Sequence, residues 1–414
     1  MNVTILTIGS RGDVQPFVAL GVGLRDAGHE VTLATGKGFE TFVSERGLRF
    51  AGLDVDLLER LQSPEGKAAL SGKNLLGTLK ETASMYRRVL DQEWEASRGA
   101  EGVVYHPKAL GGYHIAEALN VPAFLAHPIP MFSPTRAFPN PVLPVADLGG
   151  TLNRLSYGAF LRLSTTSFHR TINRWREETL GLPPRRLLAS ELELRGEPVP
   201  TLISCSPHVV SPPADWDRCT TMTGYWFLDR TGDWQPPAHL ADFLEGGPPP
   251  VYVGFGSLGG WISDKVVGAA LSALRRSGKR GVLATGAGRV PSGVSDDVCV
   301  IGSAPHEWLF PRMAAVVQHG GAGTTAEGLR AGKPSVICPT TMNDQLFWGR
   351  RVSELGVGPE PIPQKKLTAG TLLRAIRIAT EDNRMRERAA ALGEKIRAER
   401  GVARAVGVIG SALS

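Results

Sequence analysis

The residues best equipped for chemistry lie in one run, Gln318-His319-Gly320-Gly321-Ala322-Gly323-Thr324-Thr325-Ala326-Glu327-Gly328. An apolar strand pattern, Ala314 to Val317, leads into it, and a helical pattern continues from it to Arg330. Glycines at such a junction let the backbone approach a ligand closely, and the N–H groups of the helix start favour an anion such as a diphosphate. His319 adds a ring N–H donor at the mouth, and Thr324 adds a hydroxyl. Glu327 stands eight positions after His319, within the first two turns, where a carboxylate can accept from sugar hydroxyls as in ribose recognition. A tight strand-to-helix turn without a ligand is the alternative. The glycines alone do not separate the two readings, and His319 with Glu327 favours the ligand.

These residues need a frame, and the first fifty positions show its type. Val3 to Ile8 reads as a β-branched strand, followed by the turn Gly9-Ser10-Arg11-Gly12-Asp13, a helical stripe Phe17, Leu20, Leu24, a stop at Gly28, and a second strand from Val31 to Ala34. This βαβ unit implies a parallel, doubly wound α/β sheet. Asp13 either caps a helix beginning at Val14 or serves as a general base, and its position allows both. Further strands are expected at Val103-Val104, Ala123 to Ala126, Val282 to Ala284, Cys299 to Ile301 and Ser335 to Cys338. Residues 128–150 carry Pro128, Pro130, Pro134, Pro139, Pro141 and Pro144 among aromatics, which suits an ordered loop walling a pocket or a plain surface connection. Residues 231–249, rich in Pro and Gly, read as a linker. Val251-Tyr252-Val253-Gly254-Phe255-Gly256-Ser257 then repeats the strand-and-glycine opening. The two halves are 1–230 and 250–384. The tail, with both signs of charge from Asn383 to Arg404 and no aromatics, reads as a solvated helix rather than a nucleic-acid patch.

Composition bounds the rest. With 414 residues, 42% hydrophobic and 21% charged, the chain suits an ordinary globular protein of two or three folding units, which excludes disorder, collagen and coiled coil. The +6 balance, from 46 basic against 40 acidic residues, is compatible with weak peripheral contact with an anionic membrane, although no segment is assigned to it. No apolar run reaches the length of about 18 residues that a spanning helix needs, and the opening strand does not read as a secretion signal. Cys205, Cys219, Cys299 and Cys338 are too widely spaced for a zinc or redox pattern, so a reduced, cytoplasmic chain is expected.

The run Pro305-His306-Glu307-Trp308-Leu309-Phe310-Pro311, then His319 to Thr325, then Asp344-Gln345 resembles the donor-binding signature of nucleotide-sugar-dependent glycosyltransferases with two Rossmann-like domains, the GT-B fold. Gly9 to Pro16, Asn173-Arg174-Trp175-Arg176, Gly181-Leu182-Pro183 and Gly224-Tyr225-Trp226-Phe227-Leu228 narrow the resemblance to the sterol glucosyltransferase branch. It covers nearly the whole chain and is most specific at the donor end.

The resemblance implies two domains facing across a deep cleft, with the last helix, about 385–414, returning to the first. His319, Gly321 and Thr324 would hold the diphosphate, with Ser257 and Ser10 beside it. Glu327 would bind ribose, Pro305 and His306 would border the base, and Asp344 and Gln345 would hold sugar hydroxyls. Asp13 would be the catalytic base. The expected reaction is inverting transfer of glucose from UDP-glucose, a co-substrate, to a hydroxyl of a sterol-like or other hydrophobic aglycone. No cofactor or metal is expected, and the chain is expected to be monomeric. The alternative is a natural-product enzyme acting on polyketide, flavonoid or glycopeptide aglycones, with a TDP-deoxysugar donor. Met85, Tyr86, Tyr105, His106, Met131 and Phe132 are the acceptor-side candidates, each also readable as core packing. His106, His114 and His127 are partners of the base, acceptor contacts, or ordinary packed or half-exposed histidines, with nothing to choose among them. Asp54-Val55-Asp56 has the Asp-x-Asp form of metal-dependent transferases and is read as a surface turn. A non-catalytic nucleotide-binding module would need neither Asp13 nor an acceptor cavity. A dinucleotide oxidoreductase ranks last, because the spacing of Gly320, Gly321 and Gly323 departs from G-x-G-x-x-G.

Overall fold

In the first half the β-branched run Asn2–Leu6 pairs in parallel with Glu30–Gly36 on one side and Gly102–Tyr105 on the other. The computed structural model describes residues 1–55, 75–166, 168–187, 189–229, 234–255, 264–286, 293–340 and 343–413. Along the first sheet the strands run Arg49–Leu53, Glu30–Gly36, Asn2–Leu6, Gly102–Tyr105, Ala123–His127, Thr201–Ile203 and Thr220–Met222, all parallel. The second sheet runs Val298–Ile301, Gly281–Ala284, Val251–Gly254, Ala315–Gln318 and Ser335–Ile337, again all parallel. In both, the first strand lies inside the sheet and the order reverses beside it. Ligands of open α/β sheets bind at this switch point, beyond the carboxyl ends of the strands. There the first sheet presents Gly9 to Asp13 and His106 to Lys108, and the second presents the turn at His319.

The helix after the first strand spans Arg11–Asp26, starting three residues before the expected Val14, because Ser10 is extended and takes the N-cap. Phe17, Leu20 and Leu24 are buried on the sheet as their spacing predicts. The proline-rich loop has no regular structure and is ordered by side chains. Asn140 Nδ2 donates to the Met131 carbonyl at 3.0 Å, Asn153 Nδ2 to the Arg136 carbonyl at 3.0 Å, and Trp216 Nε1 to the Ser133 carbonyl at 3.1 Å. Within the expected linker, residues 231–233 lie outside the described residues. Ala238–Glu245 is a helix whose Leu240 is buried with Tyr252 and Phe310 in the second half.

The tail is not one solvated helix. Asn383–Arg397 buries Ala389, Leu392 and Ile396 against Leu329 and Trp348 of the second half, whereas Gly401–Leu413 buries Ala405, Ile409 and Leu413 against Phe17, Leu20 and Leu24 of the first. Apolar residues every three or four positions lie under the charges, and that stripe governs packing. The crossing rests on Gly224, at φ +95°, which lies against Gly401. Ser206 Oγ donates to Glu399 beside it.

One carboxyl lies in the core. Glu93, on the helix Leu75–Ala96, accepts the Gly111 N–H at 2.8 Å through Oε2, leaves Oε1 without a partner, and is pushed by burial up to about 8. An acid raised on folding binds its proton more tightly in the native state, so its contribution to stability declines as pH climbs from about 4.5 to about 8. Melting temperature is therefore expected to carry a falling contribution between about pH 4.5 and about pH 8, and Glu93→Gln, which is neutral throughout, to remove that contribution. Parallel curves for the two proteins would contradict this.

Candidate active site

The donor-side turn is built by Gln318, at the end of its strand. Its Oε1 accepts the Gly320 N–H at 2.7 Å and its Nε2 donates to Thr325 Oγ1 at 2.8 Å, which ties the turn to the helix Ala322–Arg330. Gly320 adopts φ +95°, and a Cβ there would stand 2.8 Å from the Gln345 carbonyl oxygen and from Ile337 Cγ2. The N–H groups of Ala322, Gly323 and Thr324 form the first turn, where no helix carbonyl precedes them. His319 packs its ring over Gly321, and burial holds its imidazole at about 4, neutral at physiological pH. Its Nδ1 is buried without a partner.

Around this turn, His306 stacks on Phe310 at 4.2 Å and is pushed down to about 4, first by burial and then by the positive charge of Arg11. Pro305 caps its helix. Glu327 is buried and raised to about 7 by desolvation, against the pull of Arg330 at 3.9 Å. Gln345 is buried, and its Oε1 accepts from the Thr340 N–H and hydroxyl at 2.8 and 2.9 Å. Asp344 opens the helix Asn343–Glu354, and its carboxyl is raised by burial. Ser257 and Gly256 lie outside the described residues.

Across the cleft, the two glycine turns meet: a Cβ at Gly323 would lie 4.0 Å from Gly12 Cα. Asp13 occupies the third position of its helix and divides its oxygens between two tasks. Oδ2 accepts from the Ser10 N–H at 2.8 Å and the Ser10 hydroxyl at 3.1 Å, the reciprocal half of a capping box. Oδ1 receives the Lys108 ammonium at 2.7 Å, with His106 Nε2 at 3.9 Å. The cap therefore uses Oδ2 alone, and Oδ1 is held by Lys108. Burial pushes this carboxyl up, but Lys108, His106 and the Ser10 N–H outweigh it, and the net shift is downward. Lys108 and Asp13 also act electrostatically on Asp344, which places charges from both halves in one field.

Geometry chooses among the three histidines. His106 is buried and held at about 3 by desolvation, so it is neutral. Its Nδ1 accepts the Lys108 backbone N–H at 3.1 Å, which assigns the proton to Nε2, facing Asp13. His114 instead bonds Arg176 Nη1 at 2.9 Å, in a cluster with Glu117 and Glu191 away from the cleft. His127 is buried behind Phe132, at 5.3 Å between rings.

Phe132, Met131 and Tyr86 are half-buried, Phe132 lying 5.8 Å from Phe160 and Tyr86 4.3 Å from Phe168. Met85 and Tyr105 belong to the core of the first half, and the Tyr105 hydroxyl is buried without a partner. Asp54 pairs with Lys37 at 2.5 Å, while Asp56 lies outside the described residues. Sequence reasoning missed Lys108, which had a usable signal: it follows the fourth strand by three residues, at the switch point. It also missed the role of Gln318.

Two family profiles match the chain, the glycosyltransferase family 28 N-terminal domain at residues 3–138 and the erythromycin biosynthesis protein CIII-like C-terminal domain at residues 282–406. Sterol 3-beta-glucosyltransferases of Emericella nidulans and Candida albicans are 38% and 36% identical to it over 427 residues, covering 99% and 100% of the chain. The chain spans only 30% and 28% of their length. Among solved structures, the glycotransferase of kitacinnamycin superposes with a TM-score of 0.74 at 21% identity, covering 100% of this chain and 99% of that one. The calicheamicin glycosyltransferase CalG4 gives 0.71 at 19%, covering 100% and 98%. At such identities these two carry the fold alone.

Proposed function

The chain belongs to the two-domain GT-B glycosyltransferases, with a family 28 N-terminal and an erythromycin-CIII-like C-terminal domain, and from that premise we propose that it is an inverting glucosyltransferase moving glucose from UDP-glucose to the hydroxyl of a sterol-like acceptor. The observation that carries the reading is the approach of Gly12 to Gly323, which sets Asp13 opposite an anion-binding helix start. The diphosphate lies against the first-turn N–H groups, Thr324 and His319, which stabilise the charge that develops on it as the sugar nears an oxocarbenium ion. The acceptor oxygen bonds to the anomeric carbon as the carbon–oxygen bond to the diphosphate breaks, and its proton passes to Asp13. A carboxylate cannot ionise an alcohol beforehand, but it can take the proton as the bond forms. Attack opposite the leaving group turns an α-linked donor into a β-glycoside. No metal takes part in this scheme, and turnover in EDTA is expected to equal turnover without it.

Sequence similarity to sterol 3-beta-glucosyltransferases supports the acceptor class. Asp344 and Gln345, polar side chains at the start of one helix beside the His319 turn, support a sugar that keeps its hydroxyls. The test is a matrix of UDP-glucose and TDP-deoxysugars against sterols, flavonoids and macrolide aglycones, with product masses read out. Hexose addition to sterols from UDP-glucose is the expected result. Transfer confined to TDP-deoxysugars and natural-product aglycones would replace this proposal with the alternative.

A further inference from the structure

Seven large hydrophobic residues are exposed among the described residues, and four of them, Val145, Leu148, Leu152 and Leu155, fall within eleven positions. Leu152 and Leu155, 57% and 62% exposed, stand three apart on the helix Gly150–Thr166 and so share a face, with exposed Ala159 one turn on. Arg154 and Arg162 flank this stripe, and Arg136 is exposed nearby. Acids are scarce here. From 128 to 170 the sequence holds Arg136, Arg154, Arg162 and Arg170 against Asp147 alone, and the Asp147 carboxylate is occupied by Asn153 Nδ2 and the Gly149 N–H. Asp215, beyond that segment, lies within the field of Arg154 and is held by Thr135 and the Arg136 N–H.

The opposite face of the same helix turns inward. Tyr157 is fully buried and donates to the Phe138 carbonyl at 3.4 Å, and Phe160 lies 5.8 Å from Phe132 on the candidate acceptor wall. We infer that Val145, Leu148, Leu152 and Leu155, with Arg136, Arg154 and Arg162, form a docking face for an anionic lipid bilayer, from which a membrane-resident acceptor passes beneath this helix to Phe132. Exposed leucines with arginines beside them suit the boundary between headgroups and acyl chains. The surplus of positive charge is complementary to anionic lipid, and commits the face to a bilayer rather than to an apolar protein groove. The route to the cleft rests on the sterol-like acceptor proposed above, whereas the docking face itself does not.

The test is sedimentation of the full chain with phosphatidylcholine vesicles, with and without phosphatidylserine. Binding is expected only when phosphatidylserine is present, to weaken with added salt, and to fall about tenfold or more in Leu152→Asn/Leu155→Asn, whose side chains are exposed in the fold. The same variant should lose transfer to sterol embedded in vesicles while keeping transfer to detergent-dispersed sterol. Wild-type protein that leaves vesicles untouched, or a variant that binds them equally, overturns the inference. So does a self-associated wild-type protein that the variant renders monomeric. Vesicle binding without any sterol product would sink the acceptor reading and leave the docking face standing. Transfer to dispersed sterol without vesicle binding would do the reverse.

Discussion

Asp13→Asn lowers turnover about 10²- to 10⁴-fold, the range a positioned general base contributes, and leaves UDP affinity close to the wild-type value. The substitution suits the question because an asparagine oxygen still accepts the Ser10 N–H, so the helix start at Arg11 survives and the melting temperature moves little. What disappears is the basic Oδ1, the atom beside Lys108. Lys108→Met supplies the complementary result. With the ammonium gone, burial is the leading influence on Asp13 and its carboxyl rises, so the acid limb of kcat/KM moves to higher pH. Below that limb the base is protonated and transfer stops. In the wild type the carboxyl is held below its ordinary value, so the limb lies further to the acid side. Unchanged turnover in Asp13→Asn would remove Asp13 from the reaction, and an unmoved limb in Lys108→Met would show that the limb belongs to another group.

The parts of this site that were legible in sequence are those fixed by local backbone demands. A strand running into His319-Gly320-Gly321 and then a helix announces its geometry, because Gly320 needs a positive φ and close approach to Gln345. The doubly wound order was legible for a similar reason, since strand and helix periods alternate along the chain. The ion pair on Asp13 was not, because Lys108 reaches it across 95 positions and nothing near Asp13 encodes that meeting. The choice among His106, His114 and His127 likewise depends on where each strand or helix points its side chains, and the residues immediately before and after each are apolar or aromatic in all three cases. Charge concealed the packing of the tail. Arginines and glutamates from Asn383 to Arg404 suggested solvent on all sides, yet Ala389, Leu392 and Ile396 are buried beneath them. Met85 and Tyr105, offered as acceptor contacts for their greasy character, are in the core for that same character.

His319→Ala is expected to weaken UDP binding about 10- to 100-fold, the loss of one hydrogen bond to a charged group, and to slow transfer as well. The argument turns on protonation. Burial holds the free imidazole at about 4, so it enters the reaction as a neutral donor whose buried Nδ1 lacks a protein partner. A diphosphate beside it favours the protonated ring, because a nearby negative charge stabilises the cation that burial disfavours. UDP binding should therefore take up protons and tighten as pH is lowered through the raised value in the complex toward the free value of about 4. Calorimetry in buffers of different ionisation enthalpy reads this uptake directly. In His319→Ala the uptake and the accompanying pH dependence should vanish together with the affinity. A variant that binds UDP with wild-type affinity and the same proton uptake would move the diphosphate away from His319. Loss of affinity with uptake retained would assign the uptake to another group, and not to Glu327: burial raises that carboxyl to about 7, and ribose hydroxyls donating to it would favour its ionised form and release a proton.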